Sequence, residues 1–375
     1  IHAGNRAIRA GFIDFFPQMR YIQSNPIFYG FTISFHHSKE VFVCSLIVSL
    51  RCVFWVAPSI RGGGIDSPRP ASQRAAAFIL TAIMLTSLTA PAFAKTWCIE
   101  DGNITVKAGD TGNDVTQKGE TTYGDTDTII TNQNKDIASS NTVTIETKDK
   151  NDKVEVTLKD VNIEATGGKA AVSVTGSGNT TIELDGDNHL TGGISDNGSY
   201  GLSGISSSGS LTISGGETDS LTAQGGSGTD GSGGRGIFSK DLTISGGTVN
   251  ANGGDGKNGS GGSGITSLGS LTISGGTVNA AGGDGTNSSD GGDGISSTST
   301  TISGGTVTAD GGSGNFSGGN GIRSFDVAIS GGTVNVAGGN GGNGSGSDVG
   351  NGIYSSDIDL SGSLELTAKA GSPNG

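Results

Sequence analysis

Cysteine, histidine and aromatic residues are scarce over most of this 375-residue sequence. Only Cys98 lies beyond residue 95, because Cys44 and Cys52 are upstream, so intramolecular disulfides cannot hold this part together. The single histidine beyond residue 95, His189, sits beside Leu190 near a turn, and we interpret it as a surface residue. The sequence therefore lacks the histidine that a Ser–His–Asp or Cys–His catalytic group requires.

Basic residues are also scarce. The whole chain has 22 Lys and Arg against 35 Asp and Glu, a net charge of −13. Eight of the basic and three of the acidic residues lie in 1–94, so residues 95–375 carry 14 − 32 = −18. A chain of this charge is not expected to bind nucleic acid, whose phosphates require Lys and Arg.

Residues 74–94 have the pattern of a secretory signal peptide. Arg69 and Arg74 provide the charged lead, Ala75–Leu88 the apolar segment, and Ala92–Ala94 the small residues at the cleavage site. The apolar segment is shorter than the roughly 20 residues needed to span a bilayer, so we expect no transmembrane segment in the mature chain. The prediction is a secreted or extracellular protein beginning at Lys95; the alternative is a buried hydrophobic helix.

The two ends of the sequence fit this scheme less well. Residues 1–73 begin with Ile1 rather than Met and match no pattern, so we interpret them as upstream translation outside the real protein. Residues 370–375 match the opening of another long glycine-rich loop, which predicts truncation in mid-solenoid. We expect any attachment to the cell surface to reside in the missing C-terminal part.

An internal repeat dominates the sequence between these ends. The phrase LTISGG occurs at 211–216, 242–247 and 271–276, with weaker copies before and after. Its central apolar positions recur every 26 to 31 residues, and the predicted row is Leu158, Leu184, Ile213, Ile244, Ile273, Ile302, Ile329 and Leu360.

Two further apolar rows accompany the first. A TVNA phrase gives Val161, Leu190, Leu221, Val249, Val278, Val307, Val334 and Leu364. A GI-x-S phrase gives Val172, Ile205, Ile237, Ile265, Ile295, Ile322 and Ile353. Within each phrase apolar and polar residues alternate, which is typical of strands with one buried face.

Three short strands per repeat, without a helical pattern, predict an all-β fold. We expect a right-handed parallel β-helix, a solenoid of about eight coils, over residues 143–375, with a strand-rich N-terminal cap at 95–142. Stacked coils bury one continuous Leu/Ile/Val core, so we expect the row residues from Val156 to Leu366 to be buried. Thr300 interrupts the inward Leu row and should weaken its coil.

The glycines divide into two groups. Pairs such as Gly246-Gly247 and Gly275-Gly276 sit at a tight corner, where positive φ is expected. Glycine-rich loops of about 8 to 16 residues follow each TVNA strand, and all of them should emerge on one flank. Loops on a rigid scaffold are common binding sites.

The run KVEVTLKDVNIEATGGKAAVSVTGSGNTTIELDGDNHLTGG at 153–193, followed by the GI and LTISGGTVNA phrases, resembles a known family. It is similar to the carbohydrate-binding, pectate-lyase-like β-helix proteins secreted by clostridia and their relatives. This resemblance implies a polysaccharide partner, either cellulose or an acidic glycan, and in some members bound calcium. It transfers no individual site residue.

Two groups of residues are candidate sites. Asp255 and Asp284 occupy equivalent GGDG positions in adjacent coils, where two carboxylates about 5 Å apart could hold calcium; the alternative is solvated loop acids. Phe238, Arg323 and Tyr354 each follow an inward isoleucine, so they should share an outward face as a carbohydrate contact.

Catalysis is not expected. A polysaccharide lyase needs clustered carboxylates for calcium and a basic residue on the same face, whereas Arg235 and Arg323 lie three coils apart. The sequence therefore predicts a non-catalytic carbohydrate-binding protein. The alternative is a structural or adhesive surface repeat that acts as a spacer.

Overall fold

The computed structural model describes residues 93–287, 289–342 and 347–373. Residues 1–73 and all but the last two residues of the signal peptide at 74–94 lie outside this range, so their interpretation stays a prediction. One 3-10 turn, Ile99–Asp101, is the helical element of the described residues. They contain no helix long and apolar enough to cross a membrane.

Strands built from the repeats stack as a parallel β-solenoid of about nine turns. At the N-terminal end lie β1 (Phe93–Cys98), β2 (Ile104–Ala108) and β3 (Asn113–Gln117). Strand β3 pairs antiparallel with β2 and with the strand that follows it, while β1 and β2 also pair in parallel with later strands. Parallel stacking therefore begins before Val143.

The first face contains the LTISGG phrases. Its strands are β4 (Glu120–Thr131), β6 (Lys153–Lys159), β9 (Asn179–Asp185), β12 (Ser210–Gly215), β15 (Asp241–Ile244), β17 (Ile265–Ile273), β19 (Ile295–Ile302), β22 (Asp326–Ala337) and β24 (Asp357–Lys369). Their inward row is Thr128, Val156, Ile182, Ile213, Ile244, Ile273, Ile302, Ile329 and Leu360. The predicted places of Leu158 and Leu184 are wrong. These two residues pair with each other and Leu184 pairs with Gly215, while Val156 and Ile182 take the row positions.

The second face contains the TVNA phrases. Its strands are β7 (Asn162–Glu164), β10 (Asp187–Thr191), β13 (Ser220–Gln224), β16 (Thr248–Asn252), β18 (Thr277–Ala281) and β20 (Thr306–Asp310), continued by the ends of β22 and β24. Two predicted members of its row are wrong. Asn188, not Leu190, lies opposite Leu221, and Leu366, not Leu364, lies opposite Val334.

The third face contains the GI-x-S phrases. Its strands are β5 (Val143–Glu146), β8 (Val172–Thr175), β11 (Ile205–Ser207), β14 (Ile237–Ser239), β21 (Ile322–Arg323) and β23 (Ile353–Tyr354), with β2 and the first residues of β17 and β19. The predicted row from Val172 to Ile353 is confirmed at every step. Val143 and Ile104 extend it toward the N-terminus.

The core lies between the three faces and is made of these rows. Nearly all of the row residues through Val336 are buried. The predicted burial is wrong in the last coil, because no later coil in the described residues stacks on β24. Leu360 is 49% exposed, and Ile353, Leu364 and Leu366 are only partly buried. Thr300 is fully buried, yet its hydroxyl bonds with Ser297 Oγ, which in turn reaches Ser324 Oγ, so this coil has no unsatisfied hydroxyl at Thr300.

The tight corner between the first and second faces follows the prediction. The second glycine of each pair has positive φ, at 73° for Gly247, 77° for Gly276 and 82° for Gly305. Outward side chains form ladders along the faces, since Thr243, Thr272 and Thr301 are in register. Asn279 Nδ2 donates to Asn250 Oδ1 at 2.8 Å in the neighbouring ladder.

The long glycine-rich segments between the second and third faces form an ordered layer rather than separate loops. We call the described parts of residues 225–236, 253–264, 282–294, 311–321 and 338–352 the glycine flange. Each segment runs outward and back, and backbone bonds of 2.8 to 2.9 Å join the two limbs of successive coils. These bonds form one continuous series, in which the N–H of each glycine donates to the carbonyl oxygen of the residue named before it. The series is Leu202, Gly226, Gly234, Gly254, Gly262, Gly283, Gly292, Gly312, Gly319, Gly339, Gly350 and Gly371.

This series explains why the sequence needs so much glycine here. A Cβ atom built on Gly262 would collide with the carbonyl group of Gly234, and one on Gly292 with that of Gly262. The limbs approach so closely that a side chain does not fit between them, while each buried N–H finds a carbonyl. The flange is therefore part of the folded scaffold.

Candidate functional site

A groove of about 420 Å³ runs along the solenoid where the returning limbs of the flange meet the third face. Most of its lining is glycine, serine and asparagine. Four charged residues also line it: Arg235, Asp290, Asp293 and Arg323. The groove reaches from the coil of Arg235 to the coil of Arg323, so it crosses three coil steps, or about 14 Å at the usual strand spacing.

The predicted carbohydrate-contact residues lie beside this groove. Phe238, Arg323 and Tyr354 occupy one outward row of the third face, with Thr266 and Ser296 between Phe238 and Arg323. The structure thus brings Arg323 and Tyr354 together as direct neighbours and leaves Phe238 three coils from Arg323. Their role in binding stays a prediction.

Arg235 stands at one end of the groove. Its guanidinium carbon lies 5.2 Å from the centre of the Phe238 ring, a cation–π contact. Although Arg235 keeps exposed surface, its partial burial lowers the pKa of its guanidinium below the usual value. Among the residues that the structure describes, no carboxylate lies within ion-pair distance of Arg235. The groove therefore contains a positive charge without a counterion among the described residues.

Arg323 at the other end is paired. Its Nε donates to Asp293 Oδ2 at 2.7 Å. Asp293 is 7% exposed, and its Oδ1 also accepts bonds from the backbone and side-chain nitrogens of Asn320. Since its charge is already matched by a buried carboxylate, Arg323 has less capacity for a further anion than Arg235.

Thr266 gives the groove region a second polar feature. It is 9% exposed, and its Oγ1 has no hydrogen-bond partner in the described residues. A buried hydroxyl without a partner costs stability. Because this oxygen is inaccessible and Thr266 does not line the groove, it is not a ligand contact.

The candidate calcium ligands lie on the flange, in adjacent coils as expected. Asp255 Oδ1 accepts the backbone N–H of Asp284 at 2.9 Å, and Asp284 Oδ1 accepts that of Ser313 at 2.7 Å. These carboxylates thus link successive coils. No group of three or more His, Cys, Asp or Glu side chains in metal-binding proximity occurs in the described part of the chain. Calcium at Asp255 and Asp284 stays a prediction.

Two residues were missed as site candidates from the sequence. Arg235 was considered only as a catalytic base, because its place in the groove depends on how the flange folds back. Phe325, two residues after Arg323, is 67% exposed at the corner between the third and first faces. Other coils have Lys240, Leu268 or Thr298 at this corner. The one sequence feature that could have pointed to Phe325 is therefore an aromatic residue where the neighbouring repeats have none.

The geometry of the described residues is that of a β-solenoid, which is consistent with the β-helix proteins that the sequence resembles. Comparison of the chain with known family models, curated proteins and solved structures finds no match.

Proposed function

We propose that the protein is a secreted or cell-surface, non-catalytic protein that binds an acidic polysaccharide in the groove beside the flange. Secretion is supported by the signal-peptide pattern at 74–94, and the polysaccharide class by the resemblance of residues 153–193 to carbohydrate-binding, pectate-lyase-like β-helix proteins. The groove adds a reason to choose an acidic glycan over cellulose.

That reason is Arg235. Residues 95–375 carry a net charge of −18, which repels a polyanion from most of the surface. Arg235 is a positive charge with no ion-pair partner among the described residues, so a carboxylate of the ligand can pair with it. The serine, asparagine and backbone groups around it can bond sugar hydroxyls, and Phe238 offers an apolar ring surface.

The proposal that the protein is non-catalytic is supported by the contacts that the charged groups of the groove make within the protein. A lyase requires a basic residue free to take a proton, and Arg323 is held by Asp293. Asp290 Oδ1 accepts the backbone N–H of Ser317 at 3.1 Å, so both groove carboxylates serve contacts within the protein. Arg235 remains charged at neutral pH, because an arginine does not readily lose its proton.

Binding of polygalacturonate, measured by titration calorimetry, tests the proposal. Arg235→Gln is expected to weaken binding about tenfold to a hundredfold, the usual worth of a hydrogen bond to a charged group. Lys240→Gln is the matched control, since it removes an exposed positive charge from the neighbouring corner outside the groove. Fully methyl-esterified polygalacturonate should bind weakly to the wild type. Equal affinity of the wild type for the acidic and esterified polymers, or of R235Q and wild type for the acid, would refute the proposal.

A rigid spacer is the second candidate function. The bond series along the flange crosses the coils from Leu202 to Gly371 and would stiffen the solenoid along its length. If acidic and neutral glycans all fail to bind, this observation favours a structural or adhesive surface repeat.

A further inference from the structure

Two exposed aromatic side chains lie near the Arg323 end of the groove: Phe325 in the coil of Arg323, two residues further along the chain, and Tyr354 in the next coil. Phe325 is 67% exposed and Tyr354 is 60% exposed. Backbone bonds hold both residues in place, because Ser324 N–H donates to Tyr354 O at 3.0 Å and Phe325 N–H donates to Thr298 O at 3.0 Å. Tyr354 lies directly beside Arg323 in the next coil. We call Phe325 and Tyr354 the aromatic pair.

The two ends of the groove therefore differ in chemistry. At the Arg235 end, a positive charge lacks a counterion in the described residues. At the Arg323 end, the charge is neutralised by Asp293, and two apolar rings are exposed to solvent instead. A long sugar polymer presents both kinds of group, because its carboxylates are anionic while the C–H faces of its rings are apolar and stack on aromatic surfaces.

We propose that the aromatic pair is a second subsite for the same polysaccharide chain, which enters at Arg235 and leaves over Phe325 and Tyr354. This inference rests on the proposed function. The groove is continuous between the two ends, and the coils of Arg235 and Phe325 are three steps apart, about 14 Å. Only an oligosaccharide long enough to cover that distance can engage both subsites.

A second copy of the protein is a less suitable occupant. An aromatic side chain buries at most about 250 Å², whereas a stable interface needs about 800 Å² from each partner. Two rings on a convex corner fall short of that area. For a polymer that is already bound in the groove, a small additional contact is enough to raise the affinity, because the second binding event is intramolecular.

The test is the dependence of affinity on chain length. Galacturonate oligomers of increasing length are titrated into the wild type, Phe325→Ala and Tyr354→Ala. Short oligomers are expected to bind all three equally. Beyond the length that reaches the aromatic pair, the wild type should bind about three to ten times more tightly than either variant. Phe316→Ala is the matched control, since Phe316 is an exposed phenylalanine (46%) outside the groove lining, and it should behave as the wild type.

The outcomes separate this inference from the proposed function. If short oligomers bind but longer ones gain the same affinity in the wild type and F325A, the aromatic pair is not a subsite, while glycan binding in the groove stands. If no oligomer binds at any length, the proposed function itself fails. Sedimentation of each variant completes the test, because dissociation of a dimer on Phe325→Ala would assign the pair to self-association instead.

Discussion

At the scale of single residues, the polar groups buried in the apolar rows differ in whether they have hydrogen-bond partners. Thr180 and Thr300 occupy the same inward row of the first face, in register with Leu211 and Leu271 respectively. Both are buried, but Thr300 bonds with Ser297, whereas Thr180 Oγ1 has no partner in the described residues. Asn188 is buried in the second row, and both polar atoms of its side chain have partners. Its Oδ1 accepts the Val161 N–H and its Nδ2 donates to Ser220 O.

This contrast gives a matched pair of substitutions. Thr180→Val keeps the side-chain shape and removes an unsatisfied hydroxyl, so it should raise the free energy of unfolding by about 1 kcal/mol. Thr300→Val removes one member of a satisfied network and should lower it by about 1 kcal/mol. Urea unfolding of both variants checks the difference. A loss of stability in T180V equal to that in T300V would show that Thr180 has a partner after all.

At the scale of elements, the three faces were not equally predictable. From Val172 to Ile353, most strands of the third face have only one apolar inward position (β8, with Val172 and Val174, is the exception), so this row was predicted correctly. On the other two faces, apolar residues two positions apart compete, as with Ile182 and Leu184 or Leu364 and Leu366. A shift of two residues keeps the same side of a strand buried, so the sequence pattern cannot choose between them. The Leu190 prediction failed for the related reason that the true occupant, Asn188, is polar.

The glycine flange was even less predictable as an element. Its composition is typical of loops, and nothing in the order of Gly, Ser, Asn and Asp indicates the backbone bonds between limbs. The groove is formed partly by this layer. The sequence therefore predicts the row of Phe238, Arg323 and Tyr354 but not the groove beside it. The sequence predicts which side chains share a face, but it does not predict that the glycine flange forms the other side of the groove.

Substitution of flange glycines tests whether the layer is part of the fold. Gly262→Ala should lower the free energy of unfolding by about 1–3 kcal/mol, the usual cost of overpacking, because the new Cβ meets the Gly234 carbonyl. Gly216→Ala is the control, since a Cβ there would approach only the carboxylate of Asp219 and no backbone carbonyl. Thermal melts of the two variants give the comparison. Identical melting temperatures would mean that the flange behaves as separate loops.

At the scale of the whole molecule, the solenoid organises charge and function along its axis. Most of the outward ladders are neutral serine, threonine and asparagine, while the flange flank contains Asp255, Asp284 and the groove. Two routes to an acidic glycan therefore coexist on one flank. Arg235 would bind a carboxylate directly, whereas calcium at Asp255 and Asp284 would bridge two sets of carboxylates. The hydrogen bonds that occupy both aspartates favour the first route.

The most direct test of the account is polygalacturonate affinity measured with and without a calcium chelator on three proteins: wild type, Arg235→Gln and the double variant Asp255→Ala/Asp284→Ala. The account predicts that binding survives chelation and the double substitution but falls at least tenfold in R235Q. Binding that disappears with the chelator and in the double variant, yet persists in R235Q, would contradict it and assign the glycan to calcium on the flange.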